Sequence, residues 1–379
     1  MGERYPTRHG CQDQEYSMDG NDPTITAEPP PGASSSSVPS AARERAPRPR
    51  AVLSAADGPL IDLLFPAELR RRLEETVALE QHTDPAGLLH PDARTAEAEI
   101  LLLGWGSPAL DATALARFPR LGLVAFAGGE AAKAIDPVAA DAAGILRTNA
   151  GEANSRPVAE FTLAAVLLAG TGAFWAQRTY AREQAFLDRE ARMPTLGNHG
   201  RTVGIVGASR IGRQVISLLQ RHDLRILLHD PTLDPAAIRA LGCLPASLPE
   251  LMRDSEIVSI HAPELPSTRG MISREMLALL PDGATLVNTA RGSLVDQDAL
   301  TEEVASGRLL AVLDVTEPDP LPAGHPLYTL PGAFLTPHVS GSLGRELSRL
   351  GEMILAEVER FVRGEPLRWQ EGPAAASTM

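Results

Sequence analysis

Three sets of polar residues stand just past apolar runs, the place where an open parallel sheet gathers its ligands. Arg291 lies in Asn288-Thr289-Ala290-Arg291-Gly292, directly after the apolar run Thr285 to Asn288. Its planar guanidinium suits a carboxylate, which it grips through two parallel hydrogen bonds. Taken alone, it is equally a surface arginine of a strand-to-helix loop. Asp314, Glu317 and Asp319 crowd into Asp314-Val315-Thr316-Glu317-Pro318-Asp319-Pro320, stiffened by two prolines. Taken alone, that stretch reads better as a solvated acidic loop. His338 lies in Leu335-Thr336-Pro337-His338-Val339-Ser340-Gly341, before a long helical pattern. An imidazole beside a carboxylate holds its proton more readily, and such a ring can protonate a carbonyl oxygen as hydride reaches the carbon. The other eight of the nine histidines, His261 included, read as structural.

A second constellation is a glycine-rich turn. Thr202 to Val206 is an apolar strand that runs into Gly207-Ala208-Ser209-Arg210-Ile211-Gly212 and then a helix. A dinucleotide site uses the first glycine for the turn, the second for close approach of the pyrophosphate, and the third to pack helix on strand. The helix start offers free N–H groups and a positive dipole end to phosphate. Here the middle glycine is Ser209, which adds a Cβ and also a hydroxyl able to donate to phosphate. Asp230 ends the next strand, 18 residues beyond Gly212. A carboxylate there accepts the ribose hydroxyls and repels a 2′-phosphate, which favours NAD over NADP. The plainer reading of Asp230 is a turn cap before Pro231.

The elements that must position these residues alternate between strand-like and helix-like patterns, which implies parallel strands with crossover helices in an α/β fold. Strands are expected at Ile100 to Leu103, Leu121 to Phe126 and Gly144 to Thr148, with a helix at Asp111 to Arg117. A long apolar helix starts near Asn154 with Pro157 in its first turn, fit for burial between domains or subunits. The alternation then restarts. Strands are expected at Thr202 to Val206, Arg225 to His229, Glu256 to Ile260, Thr285 to Asn288 and Leu310 to Val315, and helices at Ile211 to Leu219, Asp296 to Ser306 and Leu343 to Val362.

With 379 residues the chain has room for two domains. Residues 1 to 49, rich in Pro, Ser and Arg, are expected to be disordered. The net charge of −13 and the lack of a basic stripe argue against nucleic acid. Cys11 and Cys243 are far apart, with no CxxC or His/Cys cluster. No disulfide framework or metal site is expected, and a reducing cytoplasm fits. No apolar run reaches membrane-spanning length and no signal peptide is evident.

In combination and order, these motifs resemble the D-isomer-specific 2-hydroxyacid dehydrogenase family. They are GASRIG at 207–212, SIHAPELPSTRGMI at 259–272, LVNTARGSLVDQDAL at 286–300, AVLDVTEPDP at 311–320 and LTPHVSGS at 335–342, within a likeness running from about 51 to 372. The resemblance implies two Rossmann-like or flavodoxin-like doubly wound parallel-sheet domains with a cleft between them. A discontinuous substrate domain would span 50–152 plus 340–372, a dinucleotide domain 153–339, and residues 373–379 would be disordered. It implies a homodimer, with the helix near 154–180 at the interface. Arg291 would bind substrate carboxylate and carbonyl, His338 would be the acid/base, and the backbone of Gly128-Gly129 would receive the carboxylate. Gly207, Ser209, Arg210, Ile211, Gly212, Asp230, Ala262, Pro263, Thr268, Thr289, Ala290 and Asp314 would contact the cofactor. The family's histidine-pairing glutamate is Asp319 here, one methylene or roughly 1.5 Å shorter. Glu317 has the longer reach from another place in the loop, so either carboxylate is a candidate partner for His338. Glu130 also follows the glycine pair, where a carboxylate opposes an anionic substrate unless it turns away.

The function so implied is hydride transfer between NAD(H) and C2 of a small 2-hydroxy or 2-oxo acid. The rival reading is a non-catalytic NAD-sensing or corepressor-like protein on the same fold, which intact Arg291 and His338 oppose. Formate or phosphite oxidation is disfavoured because the loop that would carry an amide is acidic. A phosphoglycerate dehydrogenase with an added regulatory domain is disfavoured because few residues follow the last helix.

Overall fold

The computed structural model describes residues 47–372 apart from 57, 83 and 84. The expected disorder of 1–46 and 373–379 lies outside the described residues, whereas Pro47 to Pro49 lead directly into the first strand.

Two sheets carry the chain. The first has the order β2-β1-β3-β4-β5, with β1 (Arg50–Ser54), β2 (Ala78–His82), β3 (Ile100–Leu103), β4 (Leu123–Phe126) and β5 (Leu146–Asn149). The second has the order β12-β11-β10-β9-β6-β7-β8. Its strands are β6 (Arg201–Val206), β7 (Leu224–His229), β8 (Leu244–Pro245), β9 (Ile257–Ile260), β10 (Thr285–Asn288), β11 (Leu310–Leu313) and β12 (Ala333–Leu335). Every pairing within them is parallel. The central strands β3, β4, β9 and β10 are buried along their whole length. That is the signature of a sheet covered on both faces, and it is why they read as unbroken apolar runs.

Strand order reverses on either side of β1 in the first sheet and of β6 in the second. The crevice at the carboxyl ends beside such a reversal is where doubly wound sheets bind ligands. Gly207 follows β6, Ala262 follows β9, Arg291 follows β10, Asp314 follows β11 and His338 follows β12. Gly128 follows β4 of the first sheet.

Two helices tie the sheets together. The helix Gly151–Gly170 begins three residues earlier than the expected Asn154, because the Asn149 side-chain oxygen accepts the Gly151 N–H at 2.8 Å. Pro157 therefore lies inside the helix, beyond its first turn. The helix packs along the helix Arg210–Leu219 behind the glycine turn. The last helix, Leu347–Val362, is preceded by a 3-10 turn at Gly344–Glu346 and returns to the first sheet. Its residues Leu347, Leu350, Ile354 and Val358 recur at helical spacing and bury against Ile61, Leu64, Phe65 and Leu123. Gly351 makes this possible, since a Cβ there would stand 1.8 Å from the Leu64 carbonyl oxygen. Among the described residues no single helix is long and apolar enough to cross a membrane.

Candidate active site

The glycine turn is built for close backbone approach. Gly207 has φ +96°, and a Cβ there would lie 2.8 Å from the Ala262 nitrogen. A Cβ on Gly212 would lie 2.2 Å from the Gly207 carbonyl oxygen. The Ser209 hydroxyl caps the helix Arg210–Leu219 by accepting the Gly212 N–H at 3.3 Å. The first-turn amides of Arg210 and Ile211 have no acceptor among the described residues. They form the donor pair a pyrophosphate requires, so the turn fits a dinucleotide. The Arg210 side chain turns aside to Glu152, its Nε 3.3 Å from the carboxylate.

Asp230 sits past β7. One of its oxygens accepts the Ala208 N–H at 2.7 Å, and the other accepts the Thr232 N–H at 2.9 Å and the Thr232 hydroxyl at 2.6 Å. Burial works against its charge, but the bonds from Thr232 and Ala208, with Arg213 nearby, outweigh it and hold the carboxyl below its usual range. A carboxylate oxygen accepts two bonds, so the oxygen facing Ala208 keeps one position open for a ribose hydroxyl.

The loops after β9 and β10 complete this side. The Thr268 hydroxyl donates to the Pro263 carbonyl at 2.6 Å and receives the Leu265 N–H at 2.9 Å, closing the turn after Ala262. Thr289 and Thr162 share a buried hydroxyl contact of 2.9 Å. Thr162 donates onward to Val158 in the helix Gly151–Gly170, so Thr289 donates to Thr162. The Asn288 side chain accepts the Ala290 N–H at 3.0 Å and donates to the Arg291 carbonyl at 2.9 Å, folding this loop back on its strand. His261 is buried against Ser259, and burial pushes its imidazole down to about 3. It stays neutral and structural.

Arg291 is half-buried, and its Nη1 donates to the Ala290 carbonyl at 2.6 Å. The remaining guanidinium N–H groups have no acceptor among the described residues. A Cβ on Gly292 would fall 2.1 Å from the Thr316 carbonyl carbon, so the arginine loop lies directly on the acidic loop. Within that loop the two candidate partners separate. Asp319 stands 2.9 Å from His338 Nδ1. Glu317 lies 3.8 Å from Arg269, and Gln297 clamps its backbone through bonds of 2.9 and 2.7 Å. The shorter side chain is therefore the histidine's partner.

His338 adopts φ +55°, a conformation an L-residue rarely takes. Buried Asp314 holds it there. Its carbonyl accepts the His338 N–H at 3.1 Å, and its carboxylate accepts Thr336 Oγ1 at 2.6 Å, Val339 N at 2.8 Å and Ser340 N at 2.9 Å. With Nδ1 on Asp319, the ring leaves Nε2 without a partner among the described residues.

On the first sheet, Gly128 is pinned by its N–H to the Phe126 carbonyl at 2.8 Å and by the Ala150 N–H to its own carbonyl at 2.9 Å. The amides of Gly129 and Glu130 have no acceptor among the described residues, and the Glu130 side chain is exposed. Asn154 bonds the histidine loop and lies close to this one. Its oxygen accepts the Ser342 N–H at 3.2 Å, and its side-chain nitrogen lies 3.7 Å from where a Gly129 Cβ would be. Sequence reasoning used Asn154 only to mark a helix start. The same helix start also carries Glu152, Ser155 and Arg156, so residue type did not single Asn154 out.

Comparison with known proteins shows which proteins the chain resembles. Residues 164–340 match the family described as D-isomer specific 2-hydroxyacid dehydrogenase, NAD binding domain. The chain is 32% identical to a glyoxylate reductase of Aeropyrum pernix over 296 residues, 74% of this chain and 84% of that protein. It is 34% identical to a D-3-phosphoglycerate dehydrogenase of Methanocaldococcus jannaschii over 233 residues, 61% of this chain and 44% of that one. The chain spans about half the length of the phosphoglycerate dehydrogenases it matches. A solved structure from Thermus thermophilus superposes with a TM-score of 0.68 at 30% identity, covering 85% of this chain and 100% of the other.

Proposed function

Because the chain belongs to the D-isomer-specific 2-hydroxyacid dehydrogenase family, we propose that it is an NAD-dependent oxidoreductase acting at C2 of a small 2-oxo or 2-hydroxy acid. The observation that carries this reading is the 2.9 Å pairing of His338 with Asp319, next to an arginine loop whose guanidinium is largely free.

The amides of Arg210 and Ile211 would hold the pyrophosphate, with Gly207 and Gly212 allowing the close packing and Ser209 capping the helix. Asp230 would accept the ribose hydroxyls, and its charge disfavours a 2′-phosphate, so NAD is preferred to NADP. The loops bearing Ala262, Pro263, Thr268, Thr289, Ala290 and Asp314 would line the rest of the cofactor's path. When bound, the dihydronicotinamide supplies the hydride for C2. Arg291 forks onto the substrate carboxylate and carbonyl, and the Gly128-Gly129 loop receives the carboxylate on the free amides of Gly129 and Glu130, the Gly128 N–H being taken by the Phe126 carbonyl. His338 Nε2 protonates the carbonyl oxygen, while Asp319 on Nδ1 stabilises the charged ring. The opposite direction returns the proton to His338. A substrate domain of 50–152 plus 340–372 closing on a dinucleotide domain of 153–339 would exclude water.

A homodimer is supported by a groove of about 790 Å³ lined by Tyr180, Phe186, Leu187, Met193 and Leu196. Phe186 is 85% exposed at this groove, where a partner surface would cover it. Sparse, distant cysteines fit a cytoplasmic setting.

The test is NADH oxidation with a panel of 2-oxoacids that includes glyoxylate and pyruvate. Turnover of at least one is expected, and His338→Gln should lower it about 100-fold or more. Unchanged turnover in that variant on every accepted substrate would falsify the assignment.

A further inference from the structure

The segment that follows the last helix does more than trail along the first sheet. Gln370 bridges antiparallel to Thr148 of β5, and the Glu371 N–H donates to the Arg147 carbonyl at 2.8 Å. Buried Glu357 of the helix Leu347–Val362 secures the approach by accepting the N–H groups of Arg368 at 3.2 Å and Trp369 at 2.9 Å. The Glu371 carboxylate then reaches across the strand end. One oxygen accepts the Ala131 N–H at 2.7 Å and the Asn149 side-chain N–H at 2.5 Å. The other lies 3.3 Å from Nη1 of Arg147, which is itself buried and paired with Asp141 at 2.7 Å.

These contacts fall on both sides of the loop whose Gly129 and Glu130 amides are free. Ala131 carries the next amide along that loop. Asn149, held from one end by Glu371, accepts the Gly151 N–H from the other and so starts the helix that carries Asn154. We propose that Glu371 is a positioning residue of the substrate site, fixing the Ala131 end of the loop so that the Gly129 and Glu130 amides converge on one substrate carboxylate. The inference rests on the proposed reading of that loop as the carboxylate receiver. Without this carboxylate, the Ala131 and Asn149 donors lose their shared acceptor and the loop is free to turn its amides elsewhere. Among the described residues Glu371 bonds neither the histidine loop nor the glycine turn, so its loss should weaken substrate capture while leaving proton transfer and cofactor binding in place.

The experiment uses the full chain with saturating NADH and varied glyoxylate or pyruvate. Glu371→Ala should raise KM about ten-fold with kcat and the NADH Kd each within about two-fold. Glu371→Gln keeps an oxygen for Ala131 and should raise KM by roughly three- to five-fold. A KM within about two-fold of wild type in Glu371→Ala, even with a lowered Tm, would make the segment a purely structural strap and overturn the proposal. If Glu371→Ala does not fold, the same criterion applied to Glu371→Gln decides it. A wild-type chain that turns over no 2-oxoacid would bring down the functional reading and this inference together, whereas an active wild type with unchanged KM in the variants removes Glu371 alone.

Discussion

Replacing Asp319 by asparagine probes the pair to which we assign the proton transfer. The carboxylate lies 2.9 Å from Nδ1 of His338, within range of a charge-assisted hydrogen bond. Shielded from water, such a bond contributes ~1.5–3 kcal/mol. The two side chains are 39% and 55% exposed, and solvent screening lowers the figure to about 1–1.5 kcal/mol. Asparagine keeps the shape and an acceptor oxygen but loses the charge that stabilises a protonated ring. At ~1.4 kcal/mol per ten-fold, kcat/KM should fall about 5- to 12-fold. Glu317→Gln should change it by less than about two-fold, because that carboxylate faces Arg269 and not the histidine. Asp319→Glu should bring no gain, since the contact is already closed and the added ~1.5 Å must be folded away. Initial rates of loss of the reduced cofactor's absorbance, measured for all three variants, decide the matter. A loss in Glu317→Gln as large as in Asp319→Asn would refute the pairing, and a large gain in Asp319→Glu would show that the shorter side chain does not reach.

Gly212→Ala would put a Cβ 2.2 Å from the Gly207 carbonyl oxygen, about 1 Å inside ordinary contact, and should weaken NADH binding ~10- to 100-fold in a fluorescence titration. Binding within about two-fold of wild type would mean that the turn does not grip the pyrophosphate. Asp314→Asn turns an NH2 group toward donors in the histidine loop and should cost ~2–4 kcal/mol in urea unfolding together with most of the activity; normal activity at lowered stability would detach the loop's conformation from catalysis. His261 sits at about 3 when folded, against ~6.5 unfolded, so below pH ~6.5 the unfolded chain binds a proton that the folded chain refuses. Stability is thus lost as pH falls from ~6.5 toward ~3, by up to ~1.4 kcal/mol per pH unit. His261→Asn should flatten that limb of urea midpoint against pH, and parallel curves for the two proteins would argue against a buried neutral histidine.

The architecture was legible wherever burial on two faces makes a strand apolar along its length. Ile100–Leu103 and Thr285–Asn288 match their expected bounds residue for residue, and both are buried throughout. Legibility failed at the margins. β2, with the sequence Ala-Leu-Glu-Gln-His, lies at a sheet edge and turns only Leu79 onto the core, and β8 is a two-residue edge strand. β1, central and buried, was hidden by the proline- and arginine-rich stretch leading into it, which makes its boundary read as tail. The early start of the helix Gly151–Gly170 depends on a side-chain cap from Asn149, outside the apolar pattern that marked the helix.

The site divides along a different line. Arg291 and His338 stand out in the sequence because side-chain identity is the signal, and each follows a strand that ends in the crevice. The choice between Asp319 and Glu317 was not, because it turns on the path of a proline-bounded loop and on Arg269 and Gln297 claiming Glu317 first. Least legible are the groups that would hold the anions. The free donors at Gly129, Glu130, Arg210 and Ile211 are backbone amides, which every residue but proline supplies, so residue type cannot mark them. What marks them is the absence of an acceptor, and that is settled by groups far off in the chain. Asn149 lies 222 positions from Glu371 and Ala131 lies 240 from it, yet one carboxylate takes both of their N–H groups and leaves the two amides before Ala131 free. A substitution at Glu371 should therefore read out in substrate affinity even though no catalytic motif contains it.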